Sequence, residues 1–495
     1  FGLRPRLFGM VGFLPSPLRS QINVIPTVGI FNRYIRLAIS SHLPPFARTD
    51  TSLSSSPEPL RISKMVSLLS VRLISSLFAL FLSVALLIVG NGFLMTLLGV
   101  RLSLDAVDPK LIGGLMVGYS VGFVLGTLNA TRIVQRVGHI RAFAVFCVFL
   151  AMAALCYPMN SDYIVWLSLR LVGGFAMAGL LLVIESWFSA IATNDNRSTI
   201  FSLYQICFYL ATAIAQLLMM LGNPENYFLF SLATMILIAA IVPLGLTLMQ
   251  APVLAQVERM SVRSVFAASP LGVIAALTSG VLISAFYGVG PLFANLVGFS
   301  IQQISLFMAL AVFSAMLLAW PIGWLCDRVD RVKVLFYLVL IAASCSLVLS
   351  LSVSAMPIYL VMLINAIFMS MVAAIYPVGV ALMNDRVEHS HMISASATLL
   401  LSFGVGSCFG PIISATLIDL LGAPGIYVGN TALLAVMGIY VQYRLGKGVV
   451  VDVEHQEPFV QQVPDMSPVI NELNPMNDHF EEVPLEDIQA PPKSP

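Results

Sequence analysis

From Ile74 onward, hydrophobic and polar positions alternate in long blocks, not in the short rhythm of a soluble helix or strand. Apolar runs of about 20 residues recur, each long enough to carry a helix across about 30 Å of hydrocarbon. Twelve are counted, near 74–98, 111–134, 142–158, 163–189, 198–221, 226–249, 270–296, 302–325, 333–354, 357–383, 392–420 and 424–444. Barrel strands are about half that length and alternate in polarity. A chain segment in lipid must also satisfy its own backbone, which a helix does. The pattern therefore predicts an all-α membrane protein with twelve transmembrane helices.

Basic residues give these helices a direction. Arg72, Arg132, Arg136, Arg141, Arg197, Arg259, Arg263, Arg328, Arg331, Lys333, Arg386, Arg444 and Lys447 fall on one face. The other face has Arg101 and Lys110, offset by Asp105 and Asp108. By the positive-inside rule the basic face is cytoplasmic, as are both termini. The longest internal gap, 250–269, is polar and separates 65–249 from 270–446, six spans each. Two ends of the chain differ from this core. Residues 1–64 are rich in Arg, Ser and Pro, and read as a leader or an upstream stretch before Met65. Residues 447–495 are Pro-rich and acidic, and are expected to stay disordered on the cytoplasmic side.

Composition narrows the function. Of 495 residues, 58% are hydrophobic and 10% charged, and the net charge is +1. Such a chain cannot coat a soluble domain of this size with charge, and it lacks a basic surface for nucleic acid. The six cysteines lie in apolar runs and form no disulfide framework. No HExxH, GxSxG, nucleotide-binding loop or metal-ligand spacing is present. An enzyme, a cofactor and a self-contained ATP-driven pump are therefore not expected. Of the histidines, His139, His389 and His391 are read as loop residues, outside the spans.

Two loops repeat. The one after the second span reads Thr131-Arg-Ile-Val-Gln135-Arg136-Val-Gly138-His139-Ile-Arg141, and the one after the eighth reads Gly323-Trp-Leu-Cys-Asp327-Arg328-Val-Asp330-Arg331-Val-Lys333. They are 192 residues apart, half the length of the membrane core. Here the sequence resembles the major facilitator superfamily, whose loops carry G-x3-D-R-x-G-R-R. The second copy keeps Gly323, Asp327, Arg328 and Arg331, with Asp330 in place of the glycine. The first keeps Arg136 and Gly138 but has Thr131 and Gln135 where Gly and Asp are expected. The fourth span, Arg170-Leu-Val-Gly173-Gly174 through Glu185-Ser-Trp, is similar to the YcaD-like group of bacterial inner-membrane transporters. The resemblance implies two pseudo-symmetric six-helix bundles around a cavity lined by spans one, four, seven and ten. It implies secondary transport of a small solute by alternating access, with protons as a candidate coupling ion, by a monomer at the plasma membrane.

Site residues follow from charge and from that resemblance. A charge at membrane depth is a functional hypothesis by default. Arg170 reads as an anchor for a substrate anion, as a group tuning a proton site, or as a structural residue bonding helix carbonyls. Glu185, one turn from the basic face, reads as a gate paired with Arg136 or Arg141, as an interfacial carboxylate, or as a proton carrier. The cavity-lining spans offer Asn91, Tyr287, Asn295, Asn365 and Tyr376, suited to a polar solute or to helix–helix hydrogen bonding. The loop motifs add Gln135, Gly138, Arg141, Gly323, Asp327, Arg328 and Arg331 as gate residues. The rival functions are an exporter of drugs or metabolites in the same fold, and a non-transporting receptor or scaffold.

Overall fold

A computed structural model describes residues 58–193, 195–246, 261–387, 391–447 and 456–463. The expected leader, up to residue 57, most of the 250–269 linker and most of the tail lie outside the described residues. The chain divides into two units, Phe1–Ser67 and Leu68–Pro495. The membrane-spanning core lies in the second.

Among the described residues, twelve helices are long and apolar enough to cross a membrane. They span Leu77–Leu104, Pro109–Val137, His139–Met159, Tyr163–Ile191, Arg197–Leu221, Tyr227–Gly245, Pro270–Leu296, Ile301–Cys326, Arg331–Ala355, Ile358–Asn384, Ser394–Leu421 and Gly425–Gly446. The first belongs to a helix that starts at Glu58, inside the stretch read as leader. Polar residues set the helix ends. Asp108, Asp162, Ser300 and Asp330 each accept a backbone N–H of the first turn, satisfying donors that the helix cannot. In the linker region, Ser261 caps a short helix, Val262–Ala268.

Close packing depends on two glycine rows. In the second span Gly118, Gly122 and Gly126 meet the fourth, and a Cβ on Gly122 would lie 2.0 Å from the Leu171 carbonyl. In the eleventh span Gly406 and Gly410 meet the seventh, where a Cβ on Gly406 would lie 2.1 Å from the Leu277 carbonyl. Both rows are packing surfaces, where helix backbones approach without side chains between them.

The two six-helix groups meet along two seams, spans two and eleven and spans five and eight. Several bonds between the two groups sit at the end opposite the basic loops. Lys110 and Asp419 form an ion pair at 2.8 Å. Asn295 donates to Ser103 Oγ at 2.7 Å, and Ser305 donates to the Gln216 carbonyl at 2.5 Å. The 192-residue repeat is visible in the helices themselves, since the third span opens at His139 and the ninth at Arg331.

Candidate functional site

Between the two halves lies a cavity of about 160 Å³. An engineered protein cavity of about 150 Å³ holds benzene, so the space suits a small solute. Its walls come from spans one, two, four and five on one side and seven, eight, ten and eleven on the other. Most are apolar. The polar exceptions gather in the N-terminal half.

Arg170 is the charged residue of the wall, and it is 4% exposed. Span four carries it past the close glycine contact with span two, so the guanidinium is delivered to the cavity and held there. Its Nη1 lies 2.8 Å from the Met95 sulfur and its Nη2 3.2 Å from the Met116 sulfur. Nε points at the Leu115 carbonyl 3.5 Å away. The Tyr119 ring lies under the guanidinium, 4.8 Å from its carbon. Asn91 donates to the Tyr119 hydroxyl at 3.1 Å. Thioether sulfurs are weak acceptors. Among the described residues the Arg170 cation therefore meets two thioethers, a ring face and one backbone carbonyl, and no carboxylate.

Of the six residues expected at the cavity, three line it: Asn91, Arg170 and Tyr287. Three do not. Asn365 is fully buried and accepts from the Tyr427 hydroxyl at 2.8 Å, because span ten turns that face toward span twelve. Asn295 lies at the far end of span seven, bonded to Ser103. Tyr376 is buried edge-on against Phe403, behind the wall. Met95 and Met116 escape a reading of the sequence, since a methionine in an apolar run gives no sign that it faces a cation.

The gate residues divide between the two loop copies. In the first, Gln135, Arg136 and Arg141 are exposed. Gly138 has φ +85°, a conformation that favours glycine, and it turns the chain between spans two and three. Glu185 is fully buried and accepts from the Tyr204 hydroxyl at 2.7 Å. The described ion pairs do not join Glu185 to Arg136 or Arg141. His139, read as a loop residue, is instead 5% exposed, opens the third span and stacks on Trp187 at 6.3 Å.

The second copy is built differently. Asp330 replaces the glycine because it caps the ninth span, accepting from Val332 N–H at 2.8 Å. Arg331, in the position of His139, is buried and ion-paired to Asp385. Burial pushes the Asp385 carboxyl above its ordinary range, and Arg331 pulls it back down. Arg328 lies over the Trp324 ring at 4.1 Å. Gly323 and Asp327 face residues 456–463 of the tail, which form neither helix nor strand: Asp327 Oδ1 accepts from Phe459 N–H at 2.7 Å.

The model of the Major Facilitator Superfamily matches residues 73–373 and 297–464, most of the chain. The chain belongs to the Major Facilitator Superfamily. Among curated members, an uncharacterized MFS-type transporter, YcaD, of Escherichia coli O17:K52:H18 is 29% identical over 336 residues, covering 68% of this chain and 86% of that one. Among solved structures, a variant of the nucleoside transporter NupG superposes with a TM-score of 0.64 at 14% identity, over 74% of this chain and 99% of that one. A bacterial homologue of the lysosomal transporter Spinster, solved inward-facing and unoccupied, gives 0.57 at 14% identity, over 83% and 99%. Membership makes the chain a multi-pass membrane transporter of small molecules, not an enzyme. The two structural likenesses speak to the fold.

Proposed function

We propose that this superfamily member is a secondary transporter of a small organic anion, moved through the central cavity by alternating access. The observation that carries the reading is Arg170. A buried charge without an opposite charge costs several kcal/mol in real proteins. A carboxylate, sulfonate or phosphate ester entering the cavity would supply that charge, with Tyr119 and Asn91 beside it to bond the rest of the solute. The apolar remainder of the wall suits an aromatic or aliphatic body. The basic face is taken as cytoplasmic from its thirteen basic residues against two, in an inner membrane. The bonds at the opposite end then support a state opened toward the cytoplasm. The proton is the proposed coupling ion. Glu185, buried in span four on the Tyr204 hydroxyl, is its proposed carrier.

The test is a thermal-unfolding screen of the purified protein in detergent. Size-matched carboxylates, sulfonates, neutral amides and amines are the probes. At 100 times Kd a bound solute stabilises by about 2.7 kcal/mol. Anions should stabilise the protein, and Arg170→Gln should remove the effect. Stabilisation by amines or neutral amides that persists in Arg170→Gln would overturn the anion assignment. The absence of any stabilising solute, with function lost on truncation after Lys447, would favour a scaffold.

A further inference from the structure

The occupied mouth of the cavity carries a second inference. Residues 456–463, Gln-Glu-Pro-Phe-Val-Gln-Gln-Val, follow the last span in a segment whose composition predicts disorder. They are instead held by a succession of specific bonds. Arg331 Nη2 donates to the Glu457 carbonyl. Asp385 Oδ1 accepts from Glu457 N–H at 3.2 Å, and Asp327 Oδ1 accepts from Phe459 N–H at 2.7 Å. The Phe459 ring packs on Gly323, where a Cβ would come within 3.0 Å of it. Two residues on, Gln205 Nε2 donates to the Gln461 carbonyl at 2.9 Å. Gln462 and Val463 are 4% and 6% exposed, and Val463 joins Arg170 and Asn91 in the cavity wall.

The order of these partners defines a path. Asp327, Arg331 and Asp385 stand at the ends of spans eight, nine and ten, in the C-terminal half at the basic face. Gln205 belongs to span five of the N-terminal half, eight residues past Arg197 and so about 12 Å deeper along the helix. The peptide thus crosses from one half to the other while descending to the cavity. Three of the bonds engage its backbone N–H or C=O through charged side chains, the stronger class of hydrogen bond. The site reads the backbone groups of a non-helical segment, with an aromatic residue at its third bond, which is the chemistry of a peptide-binding groove.

We propose that the cytoplasmic mouth is a peptide-binding site whose occupant is the protein's own segment 456–463, and that docking closes the cavity to solute. Bound to both halves, the segment is a ligand of the arrangement in which the basic-face mouth is open. It holds that arrangement as any ligand holds the state it prefers. Solute cannot pass while Val463 forms part of the wall. Release of the segment frees both the path and the relative movement of the halves. Placement of the mouth on the cytoplasmic side rests on the orientation proposed above; the occlusion does not.

Two measurements that require no solute test this. The first is labelling of Ser284→Cys, a cavity-wall position, by a polyethylene-glycol maleimide in detergent, read by peptide mapping to separate it from the six native cysteines. The variant is compared with the same protein carrying a Gly-Ser chain of equal length in place of 456–463. A segment docked about 90% of the time leaves a tenth of molecules reactive, so its replacement should raise the rate about tenfold. Added synthetic peptide of that sequence should lower it again. The second is hydrogen exchange of the full, unsubstituted chain. Residues 456–463 should exchange slowly, and Asp327→Ala should speed them. Equal labelling rates with and without the segment, or rapid exchange across 456–463 in the intact chain, would overturn the proposal. Either failure leaves the Arg170 reading standing, and loss of anion stabilisation leaves this one standing.

Discussion

Arg331 and Asp385 form an ion pair in which each side chain is 1% exposed. The pair closes the basic end of the C-terminal half and also holds the tail peptide at Glu457. Removing one partner of a buried pair leaves the other uncompensated, at a cost of about 3–5 kcal/mol. Arg331→Met should therefore lower the unfolding temperature strongly at pH 8. The loss should shrink toward pH 5. Burial already raises the Asp385 pKa, and removing Arg331 removes a cause that lowers it. In the variant the folded state binds more protons than the unfolded one between the ordinary carboxylate range and the raised value. Stability then falls as pH rises through that window. Thermal unfolding at several pH values checks it; an equal loss at pH 5 and pH 8 contradicts it.

Asn91 and Asn365 make opposite predictions although both are asparagines on cavity-lining spans. Asn91→Ala should weaken anion stabilisation several-fold, since Asn91 lines the cavity and bonds Tyr119. Asn365→Ala should leave solute binding unchanged and cost about 1 kcal/mol of stability through its lost bond to Tyr427. The pair of titrations, with unfolding temperatures beside them, separates wall from scaffold.

Gly174 sits where a Cβ would lie 2.0 Å from the Tyr119 carbonyl. Backbone cannot yield as a side-chain tip can, so Gly174→Ala should destabilise the protein by about 1–3 kcal/mol. It should also displace Tyr119, and with it the ring under Arg170. Gly446→Ala, with open space around the added atom, is the control and should be silent.

The Lys110–Asp419 pair spans the two halves at the end away from the basic loops, with side chains 54% and 31% exposed. Exposed pairs add little to stability, because water and salt screen them. Asp419→Ala should barely change the unfolding temperature. It should still shift the balance of open and closed forms at that end, by at most about fivefold. Cysteine accessibility of Ser103→Cys reports the shift; no change at all would remove Lys110–Asp419 from the closure.

The twelve spans are legible in the sequence because lipid imposes length and hydropathy on each helix separately. The loop repeat is legible by its 192-residue spacing, and the resemblance to the superfamily's loop motif marks Asp327, Arg331 and Gly138 within it. Rotation of a helix about its axis is not legible. Asn365 and Asn91 carry the same chemistry on spans that the resemblance assigns to the cavity, and only packing decides that one faces Tyr427 and the other Tyr119. Met95 and Met116 stay hidden for a related reason, since their role depends on a cation brought from another span. The docked segment is least legible of all. Its bonds run through backbone groups, which every residue possesses, and its acidic, Pro-rich composition points toward disorder.

The third span opens at His139 and the ninth at Arg331, equivalent places in a duplicated scaffold. At one stands an imidazole ring stacked on Trp187, at the other a guanidinium that grips both Asp385 and the chain's own tail. Duplication supplied two copies of one corner, and they no longer share the work. The C-terminal copy is an anchor point. The N-terminal copy, without Asp or Arg at those places, cannot hold a strand of peptide in the same way. The molecule is thus handed: a pull on the tail is felt first by one half, and the twofold likeness of its helices does not extend to how it is governed.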